Sequence, residues 1–424
     1  MPDDVLERLF GELAGTDLPV PAPAAVVARG RQRRRRARGQ FVASTAAVVA
    51  LLGIAVSELA ASHPLAQSPA GRSRPSTVCA AAPDPALTSE LQRTLPTTGQ
   101  AGITPIALSA HGSTAYVLTT PDRNFHGIAA ESVATGAIIR MIEVLPASDD
   151  GAIGGLAPDG DLIWFNVHST YGGENSDTTA MQLWSPRTRT VTTLEPAGQH
   201  GGALSAPVFF GGLAAWEQAD GSTREIVVAN LRTGVANVIA RGPVLAPVFV
   251  GDALLWPVGL PPAGRDSHLV AVRADRLPAL VPVAVPPALR AAGHASLIAS
   301  ADGQTAYISA DLTGLFYSRA LAEPARLVLR LPQGDTFGAG PPTLGPGYLG
   351  WMTAGAASYV ASTSSLAAAT LTDGRTTSGA VLAAGSFVVA TSSPDPKQGS
   401  WRLSVLSGAT IERMTCAPGG RIGR

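Results

Sequence analysis

The most distinct pattern in the chain is an apolar run, residues 39–57, that has no ionisable side chain. As a helix rising about 1.5 Å per residue, the run would be roughly 28 Å long, close to the ~30 Å hydrocarbon thickness of a bilayer. A group of arginines precedes it: Arg29, Arg31, Arg33, Arg34, Arg35, Arg36 and Arg38. Because basic flanks stay on the cytoplasmic side, the pattern predicts a transmembrane helix over residues 39–59 with a cytoplasmic N-terminus.

Two other interpretations of this run are a cleaved secretory signal and a buried core helix. The segment ahead of the run is about forty residues long, longer than the charged region of a signal peptide, and residues 57–64 offer no good small-x-small cleavage triplet. A twin-arginine export signal is a related alternative, but the residues after the arginines do not follow that motif closely. A core helix would have to accommodate the whole arginine group beside it. The uncleaved anchor is therefore the leading interpretation.

Apolar residues also recur at helical spacing near the N-terminus, at Leu6, Leu9, Phe10 and Leu13. The spacing i, i+3, i+4, i+7 places them on one face of a helix of about three turns. Residues 1–38 are therefore predicted to be a cytoplasmic tail with a short amphipathic helix and an arginine cluster. The apolar face could dock on a cytoplasmic protein or lie against the membrane. A weakly ordered tail is the third interpretation, because isolated helices of this length are marginal in water.

Beyond the span, residues 60–78 are rich in Ser, Pro and Ala and predict a flexible stalk. Residues 79–424 then form the predicted extracytoplasmic domain, in which one phrase repeats: a short apolar strand, a glycine-centred turn, and a strand with a large apolar residue. These large residues, 37 to 52 positions apart, are Tyr116, Trp164, Trp216, Trp256, Tyr307, Trp351 and Val388. The period and a second hairpin after most phrases predict an all-β fold, a seven-bladed β-propeller with four-stranded blades, preceded by the transmembrane helix and the short cytoplasmic helix.

Two of the phrases carry a resemblance to known proteins. Ala157-Pro158-Asp159-Gly160-Asp161 and Ser300-Ala301-Asp302-Gly303-Gln304, each followed by an apolar-aromatic strand, resemble the Ser-Pro-Asp-Gly repeats of TolB-like and YVTN-type β-propellers. The similarity covers most of residues 100–415 and implies the propeller fold, which serves as scaffold, receptor and occasionally enzyme. The layout of a basic-flanked span before a propeller also resembles membrane proteins of unknown role in GC-rich bacteria. Some of those are candidate partners of extracytoplasmic-function sigma factors.

The composition agrees with a β-rich chain and limits the classes of ligand to be expected. The 424 residues include 46 glycines and 34 prolines and are only 15% charged, which suits short strands and tight turns. Residues 59–424 carry 23 basic and 25 acidic side chains. The outer part therefore lacks the basic excess that neutralises phosphates, and nucleic acid is not expected as a ligand.

Cys79 and Cys416, the two cysteines of the chain, lie near the two ends of the predicted outer domain. In an oxidising compartment this placement predicts one disulfide that joins the start of the domain to its end. Two unrelated buried thiols are the alternative. The pair supplies too few ligands for a metal site.

The chain lacks the local signatures of hydrolases, metalloproteases and nucleotide enzymes, so no catalytic, cofactor-binding or metal-binding residue is predicted. The seven histidines are scattered at blade-sized distances, and a propeller could bring several of them to its central funnel. A metal site there is an alternative to the commoner turn or surface histidine. Asp159 and Asp161 fall in a turn, where acids favour backbone geometry.

An acidic, glycine-rich loop, which contains Tyr171, Glu174 and Asp177, is the candidate ligand loop. Ca²⁺ binding is one alternative, although the spacing misses the EF-hand rule, and a plain solvated connection is another. Two further connections, residues 259–267 and 332–342, are rich in Pro and Gly. Loops on a rigid ring commonly carry function, so these three segments are where binding is expected.

The leading hypothesis is a single-pass protein of the cell membrane whose extracytoplasmic propeller serves as a non-catalytic binding or scaffold module. Its expected ligand is a protein, a peptide or a component of the cell envelope, and the tail could bind a cytoplasmic protein. An envelope hydrolase or lyase with a funnel active site is one alternative, which three or more convergent His, Asp, Glu or Arg side chains would favour. A transmembrane regulator of an extracytoplasmic-function sigma factor is the other.

Overall fold

The computed structural model describes residues 77–92, 94–95, 101–109, 111–122, 125–146, 149–169, 176–197, 201–259, 268–292, 297–309, 311–338, 340–354, 357–371, 381–384, 387–392 and 402–420. The chain divides into two compact units, Met1–Arg74 and Pro75–Arg424, and every described residue belongs to the second. The predicted docking face (Leu6, Leu9, Phe10 and Leu13), the predicted transmembrane helix and most of the predicted stalk lie outside these residues. Within the described ranges, no helix has the length and apolarity needed to cross a bilayer.

The fold is built almost entirely of antiparallel strands, and the described strands form seven sheets. Two short strands and a helix come first: β1 (Cys79–Ala80), α1 (Pro85–Gln92) and β2 (Thr94–Leu95). Sheet one contains β3 (Ala101–Leu108), β4 (Thr114–Asp122), β5 (Phe125–Ser132) and β6 (Ile138–Pro146). Sheet two contains β7 (Asp149–Leu156), β8 (Leu162–Ser169), β9 (Ser176–Thr178), β10 (Met181–Trp184) and β11 (Val191–Leu194). Sheet three contains β12 (Gly202–Ala203), β13 (Val208–Phe210), β14 (Leu213–Asp220), β15 (Thr223–Asn230) and β16 (Val235–Gly242).

The remaining four sheets follow in chain order. Sheet four contains β17 (Val248–Val250), β18 (Ala253–Val258) and β19 (His268–Arg273), followed by 3-10 helices at Ala274–Arg276 and Pro287–Ala292. Sheet five contains β20 (Leu297–Ala301), β21 (Gln304–Ile308), β22 (Gly314–Ser318) and β23 (Arg326–Arg330). Sheet six contains β24 (Thr343–Gly345), β25 (Tyr348–Met352), β26 (Ser358–Ser362) and β27 (Ala367–Thr370). Sheet seven contains β28 (Val381–Ala384), β29 (Phe387–Ser392) and β30 (Arg402–Ser407), after which comes helix α2 (Gly408–Glu412).

Each large residue of the repeated phrase lies on the second strand of a different sheet. These positions are Tyr116 on β4, Trp164 on β8, Trp216 on β14, Trp256 on β18, Tyr307 on β21, Trp351 on β25 and Val388 on β29. The six aromatic members are buried. The phrase therefore corresponds to the first hairpin of each of these sheets.

Successive sheets share apolar cores, because both faces of a sheet are covered by its neighbours. Trp164 packs with Ile106 and Tyr116 of sheet one, whereas Trp216 packs with Phe165 of sheet two. Further cores join sheets three and four, four and five, five and six, and six and seven. Strands that are buried on both faces read as nearly continuous apolar runs, as the sequence of these hairpins does.

Except between sheets two and three, the first strand of each sheet lies against the first strand of the next. These contacts run from β3 to β7, then through β9 and β12 between sheets two and three, and on through β13, β17, β20, β24 and β28. The last strand of this series, β28, contacts β3 of sheet one. The sheets of this unit therefore close into a ring, which is the arrangement of a β-propeller.

The N-terminal segment of the described chain completes the ring. Strand β2 pairs antiparallel with β30 and supplies the outer edge of sheet seven, while β1 adds parallel to β27 at the edge of sheet six. Between them, Glu90 of α1 accepts hydrogen bonds from the backbone N–H of Ser407 at 2.9 Å and from the Thr410 hydroxyl at 2.7 Å. The two ends of the domain are thus held together by strand pairing and by a helix-to-helix contact.

The predicted disulfide between Cys79 and Cys416 is confirmed, with the two Cα atoms 5.6 Å apart. Cys79 lies in β1, and Cys416 follows α2 and forms an isolated bridge with Ala81. The packed region begins slightly before Cys79, because the Thr77 backbone N–H donates to the Val328 carbonyl at 2.9 Å and Val78 is buried.

The expectation of four strands per sheet holds in part. Sheets two and three have four strand positions, but one is interrupted in each: β9 and β10 share the third position, and β12 and β13 share the first. In sheet four, the described residues give three strands, and a single bridge between Val272 and Pro282 occupies the outer position. Because proline lacks the backbone N–H that regular strand pairing requires, the pairing at Pro282 stays a single bridge.

Candidate functional site

The residues of the candidate ligand loop have different outcomes. Tyr171 and Glu174 lie outside the described residues. Asp177 is exposed on β9, directly opposite His168 of β8 in the strand register. The role of this segment in binding stays a prediction.

A cavity of about 690 Å³ lies between sheets two and three. Four turns line it: residues 157–161 and 185–190 of sheet two, and residues 211–212 and 231–234 of sheet three. They follow the first or third strand position of their sheets. In an antiparallel sheet, turns after the first and the third strand fall at the same end, which explains why residues about fifty positions apart meet here.

Local sequence determines the shape of these turns. Gly160 and Gly234 have φ values of 93° and 71°, a region that side chains rarely adopt, so glycine allows both turns to close tightly. Asn230 accepts hydrogen bonds from the backbone N–H groups of Arg232 and Thr233, both at 3.1 Å. Such side-chain turns are typical of Asn and give the sheet-three wall of the cavity a fixed backbone.

Asp161 contributes a carboxylate to the floor of the cavity. The residue is 5% exposed, and its Oδ1 atom is buried without a hydrogen-bond partner among the described residues. Its backbone carbonyl accepts a hydrogen bond from the Ala157 N–H at 2.8 Å, which closes the turn. The hydrogen bond that closes the turn therefore involves the main chain of Asp161.

The rim of the cavity is polar and partly paired. Arg187 donates to Asp159 Oδ2 at 3.0 Å, and both side chains are exposed. The hydroxyls of Thr188 and Thr190 are 2.9 Å apart. Arg232, on the opposite wall, is exposed and makes no side-chain ion pair within the described part of the chain.

The aliphatic surface of the cavity comes from Leu183, Leu194 and Leu231, all buried. Among the described residues, no aromatic side chain lines it. The cavity thus combines a carboxylate at its floor, hydroxyls and one unpaired guanidinium at its rim, and short aliphatic walls.

A second group of charged residues lies at the other end of sheet three, near the β14–β15 hairpin. Glu225 is 1% exposed at its side chain and contacts Arg241 at 3.0 Å, and it accepts a hydrogen bond from Gln218 Nε2 at 3.0 Å. Glu217 contacts Arg224 at 2.6 Å. Burial raises the pKa of the Glu217 carboxyl, although Arg224 beside it acts in the opposite direction.

These two glutamates do not form a catalytic pair. Glu225 lies opposite Gln218, on the face that Trp216 packs against sheet two, whereas Glu217 lies on the other face, with Ala215 toward sheet four. Alternate residues of a strand point to opposite sides, so the sheet separates the two carboxylates. Each has its own arginine, which is the arrangement of buried structural ion pairs.

The first strands, which lie toward the centre of the ring, carry few ionisable residues. Within their described parts, Asp149 and Asp150 at the start of β7 are the ionisable ones, and the rest are apolar, small or hydroxyl-bearing. No group of three or more His, Cys, Asp or Glu able to hold a metal ion occurs among the described residues.

Sequence reasoning missed the cavity because turns from two different sheets form it. The sequence feature that could have indicated the cavity is Pro158-Asp159-Gly160-Asp161. This turn contains two acidic residues, although one would suffice for its backbone geometry. Asp159 is the exposed member and pairs with Arg187, and Asp161 is the buried one.

No family model matches the chain, and no curated protein matches it. Among solved structures, the chain is similar to an oligogalacturonate lyase from Vibrio parahaemolyticus at 11% identity and a TM-score of 0.47, covering 74% of this chain and 96% of that one. It is also similar to a puromycin hydrolase at 13% identity and a TM-score of 0.47, where the match covers 81% of this chain but 56% of that one. TolB from Acinetobacter baumannii matches at 14% identity and a TM-score of 0.31, with 55% of each chain covered.

Proposed function

We propose that this chain is a single-pass membrane protein whose extracytoplasmic part is a seven-bladed β-propeller that binds a protein, peptide or cell-envelope ligand without catalysing a reaction. The apolar run of residues 39–57 and the arginines before it support the anchor and its orientation. The seven sheets and the contacts that close their ring support the number of blades. The disulfide supports an oxidising compartment, because such bonds persist mainly outside the cytosol.

The cavity between sheets two and three is the observation that carries the binding function. Its volume of about 690 Å³ falls within the range of ligand pockets, roughly 300–1,000 Å³. Its floor holds the buried Oδ1 atom of Asp161 without a hydrogen-bond partner in the described chain. Folded proteins satisfy most buried polar atoms, so an unsatisfied carboxylate oxygen on a residue that lines a pocket of this size favours an external donor.

The distribution of ionisable groups favours binding over catalysis. Acid–base catalysis needs groups that reach one substrate together. In the described residues, Glu217 and Glu225 are separated by a sheet, and each is paired with an arginine. In the cavity, Asp159 is held by Arg187 at the rim, which leaves Asp161 as a single acid without a partner base.

Partner capture by the full chain from membranes, followed by mass spectrometry, tests this function. Thr192→Trp is designed to fill the cavity, since Thr192 is an exposed residue of its wall. The matched control is Thr370→Trp, at an exposed threonine on the outer part of sheet six. We expect one partner to be captured by the unmodified chain and by Thr370→Trp, and to be lost with Thr192→Trp. Capture that is equal for both variants would contradict a role for the cavity.

The same assay separates the sigma-factor alternative. Changing Leu9 and Phe10 to Ser removes the predicted docking face but keeps the arginines, and so keeps the predicted orientation. Loss of the partner from this variant alone would assign binding to the cytoplasmic tail. Retention of the partner would support the outer domain as the binding module.

A further inference from the structure

We infer that the cavity between sheets two and three takes a zwitterionic ligand, whose ammonium group reaches Asp161 and whose acidic group lies toward Arg232. This inference rests on the proposed binding function and adds the chemical class of the ligand. The class corresponds to an amino acid or to a short peptide with both termini free.

The ammonium end follows from Asp161. A buried carboxylate that lacks a partner is costly, and a cation that donates hydrogen bonds relieves that cost most fully. The Oδ1 atom is such an acceptor: it is buried, it has no partner among the described residues, and it belongs to a residue that is 5% exposed. Among the described residues with a buried, unpartnered side-chain atom, Asp161 is the one that lines this cavity.

The acidic end follows from the two arginines of the lining. Asp159 already neutralises Arg187 at 3.0 Å. Arg232 makes no side-chain ion pair in the described ranges, and it lies on the opposite wall, which sheet three supplies. The site therefore presents an acid at its floor and an unpaired base at its rim. A ligand with the reverse arrangement of charges fits this polarity, and a simple cation or anion fits half of it.

The walls suit an aliphatic connection between the two charges. Leu183, Leu194 and Leu231 supply short apolar surfaces, and the threonines of the rim supply further hydrogen-bonding groups. Recognition of a sugar ring commonly uses the face of an aromatic side chain, and no described aromatic residue lines this cavity. A glycan is therefore the less suited occupant.

The test uses the full chain in nanodiscs and a series of ω-amino acids from glycine to 6-aminohexanoate, with binding measured by saturation-transfer difference NMR. We expect one chain length to bind best, and the analogues of that length without the ammonium group or without the carboxylate to bind at least about tenfold more weakly. Equal binding of the ammonium-free analogue would overturn the assignment to Asp161. Equal binding of the carboxylate-free analogue would overturn the assignment to Arg232.

Two matched substitutions localise the effect. Asp161→Asn keeps the size of the side chain but removes its charge, and we expect it to weaken binding of the best ω-amino acid about ten- to hundredfold. Asp220→Asn, at an exposed carboxylate of the β14–β15 hairpin outside the cavity lining, is expected to change binding by less than about threefold. Equal loss with both substitutions would contradict a specific role for Asp161.

Failure of this inference is distinguishable from failure of the proposed function. If no ω-amino acid binds but Thr192→Trp still abolishes partner capture, the cavity binds a ligand of another class and the zwitterion is rejected. If ω-amino acids bind and partner capture is unaffected by Thr192→Trp, the zwitterion stands and the macromolecular partner binds elsewhere.

Discussion

Cys79 and Cys416 are 337 residues apart in the sequence, yet their sulfur atoms are bonded and their Cα atoms are 5.6 Å apart. The bond ties the outermost strand of sheet six to the segment that follows the last strand of sheet seven. It therefore bridges the place where the two ends of the domain meet.

We expect the double substitution Cys79→Ser and Cys416→Ser to lower the stability of the folded domain by several kcal/mol. The chain-entropy model gives about 5–6 kcal/mol for a loop of this length as an upper limit. Thermal unfolding of the full chain, followed by tryptophan fluorescence, measures the effect. Dithiothreitol should shift the unmodified chain toward the same midpoint and leave the double variant unchanged, and equal midpoints for both chains would contradict the prediction.

Glu131 makes stability depend on pH. Burial raises the pKa of its carboxyl from 4.5 to about 7. The folded state therefore binds this proton more tightly than the unfolded state, so the contribution is full below about pH 4.5 and is lost as the pH rises toward 7. The loss amounts to at most about 3 kcal/mol. Unfolding measured between pH 4.5 and 7.5 should show it, and Glu131→Gln should flatten the profile, whereas exposed Glu323→Gln should not.

Removing only the arginine of the Glu225–Arg241 ion pair is expected to destabilise the fold more than removing both residues. Arg241→Met leaves a carboxylate that is 1% exposed without its cation and should cost about 2–4 kcal/mol. Replacing both residues with Met should recover most of this loss, because the uncompensated charge is gone. Arg276→Met, which removes a pair between two exposed side chains, should change the free energy of unfolding by less than about 0.5 kcal/mol. Equal effects of the two single substitutions would show that Glu225 does not depend on Arg241.

Asp161→Asn is expected to stabilise the chain in the absence of ligand. The substitution keeps the shape of the side chain and removes a buried charge that lacks a partner, which should raise the free energy of unfolding by about 1–2 kcal/mol. Urea unfolding of the full chain measures this change, and Asp159→Asn is the control. A clear loss of stability with Asp161→Asn would mean that the carboxylate is needed for folding.

The repeated phrase was recognisable in the sequence because the second strand of most sheets buries a large aromatic residue shortly after a turn glycine. Trp164, Trp216, Trp256, Tyr307 and Trp351 pack against the preceding sheet, and this shared environment preserves the pattern. Tyr116 is different, since it packs toward sheet two and lies 6.2 Å from the ring of Trp184. The position of Tyr116 in the repeated phrase did not indicate that it packs against the following sheet.

The interruptions of the sheets and the cavity were not predictable in the same way. The break between β9 and β10 depends on Thr179, whose hydroxyl accepts a hydrogen bond from the Asn166 backbone at 2.8 Å, and periodicity does not register such a contact. The bridge at Pro282 replaces a strand where the sequence pattern still suggested one. Asp161 and Arg232 line the same cavity only because sheets two and three are neighbours in the ring. The sequence of either turn by itself does not contain this information.

The pairing of β2 with β30 also has a consequence for how the chain is made. Glu90 and Ser407, which are in contact beside this pair, are 317 residues apart. The hydrogen bonds of β2 and Glu90 therefore form only after the last segment of the domain has been synthesised. During synthesis, the incomplete sheets six and seven offer unpaired backbone N–H and C=O groups to any extended peptide nearby. A ribosome that stalls before residues 402–420 would leave a product with two open edges, a ready target for chaperones and proteases.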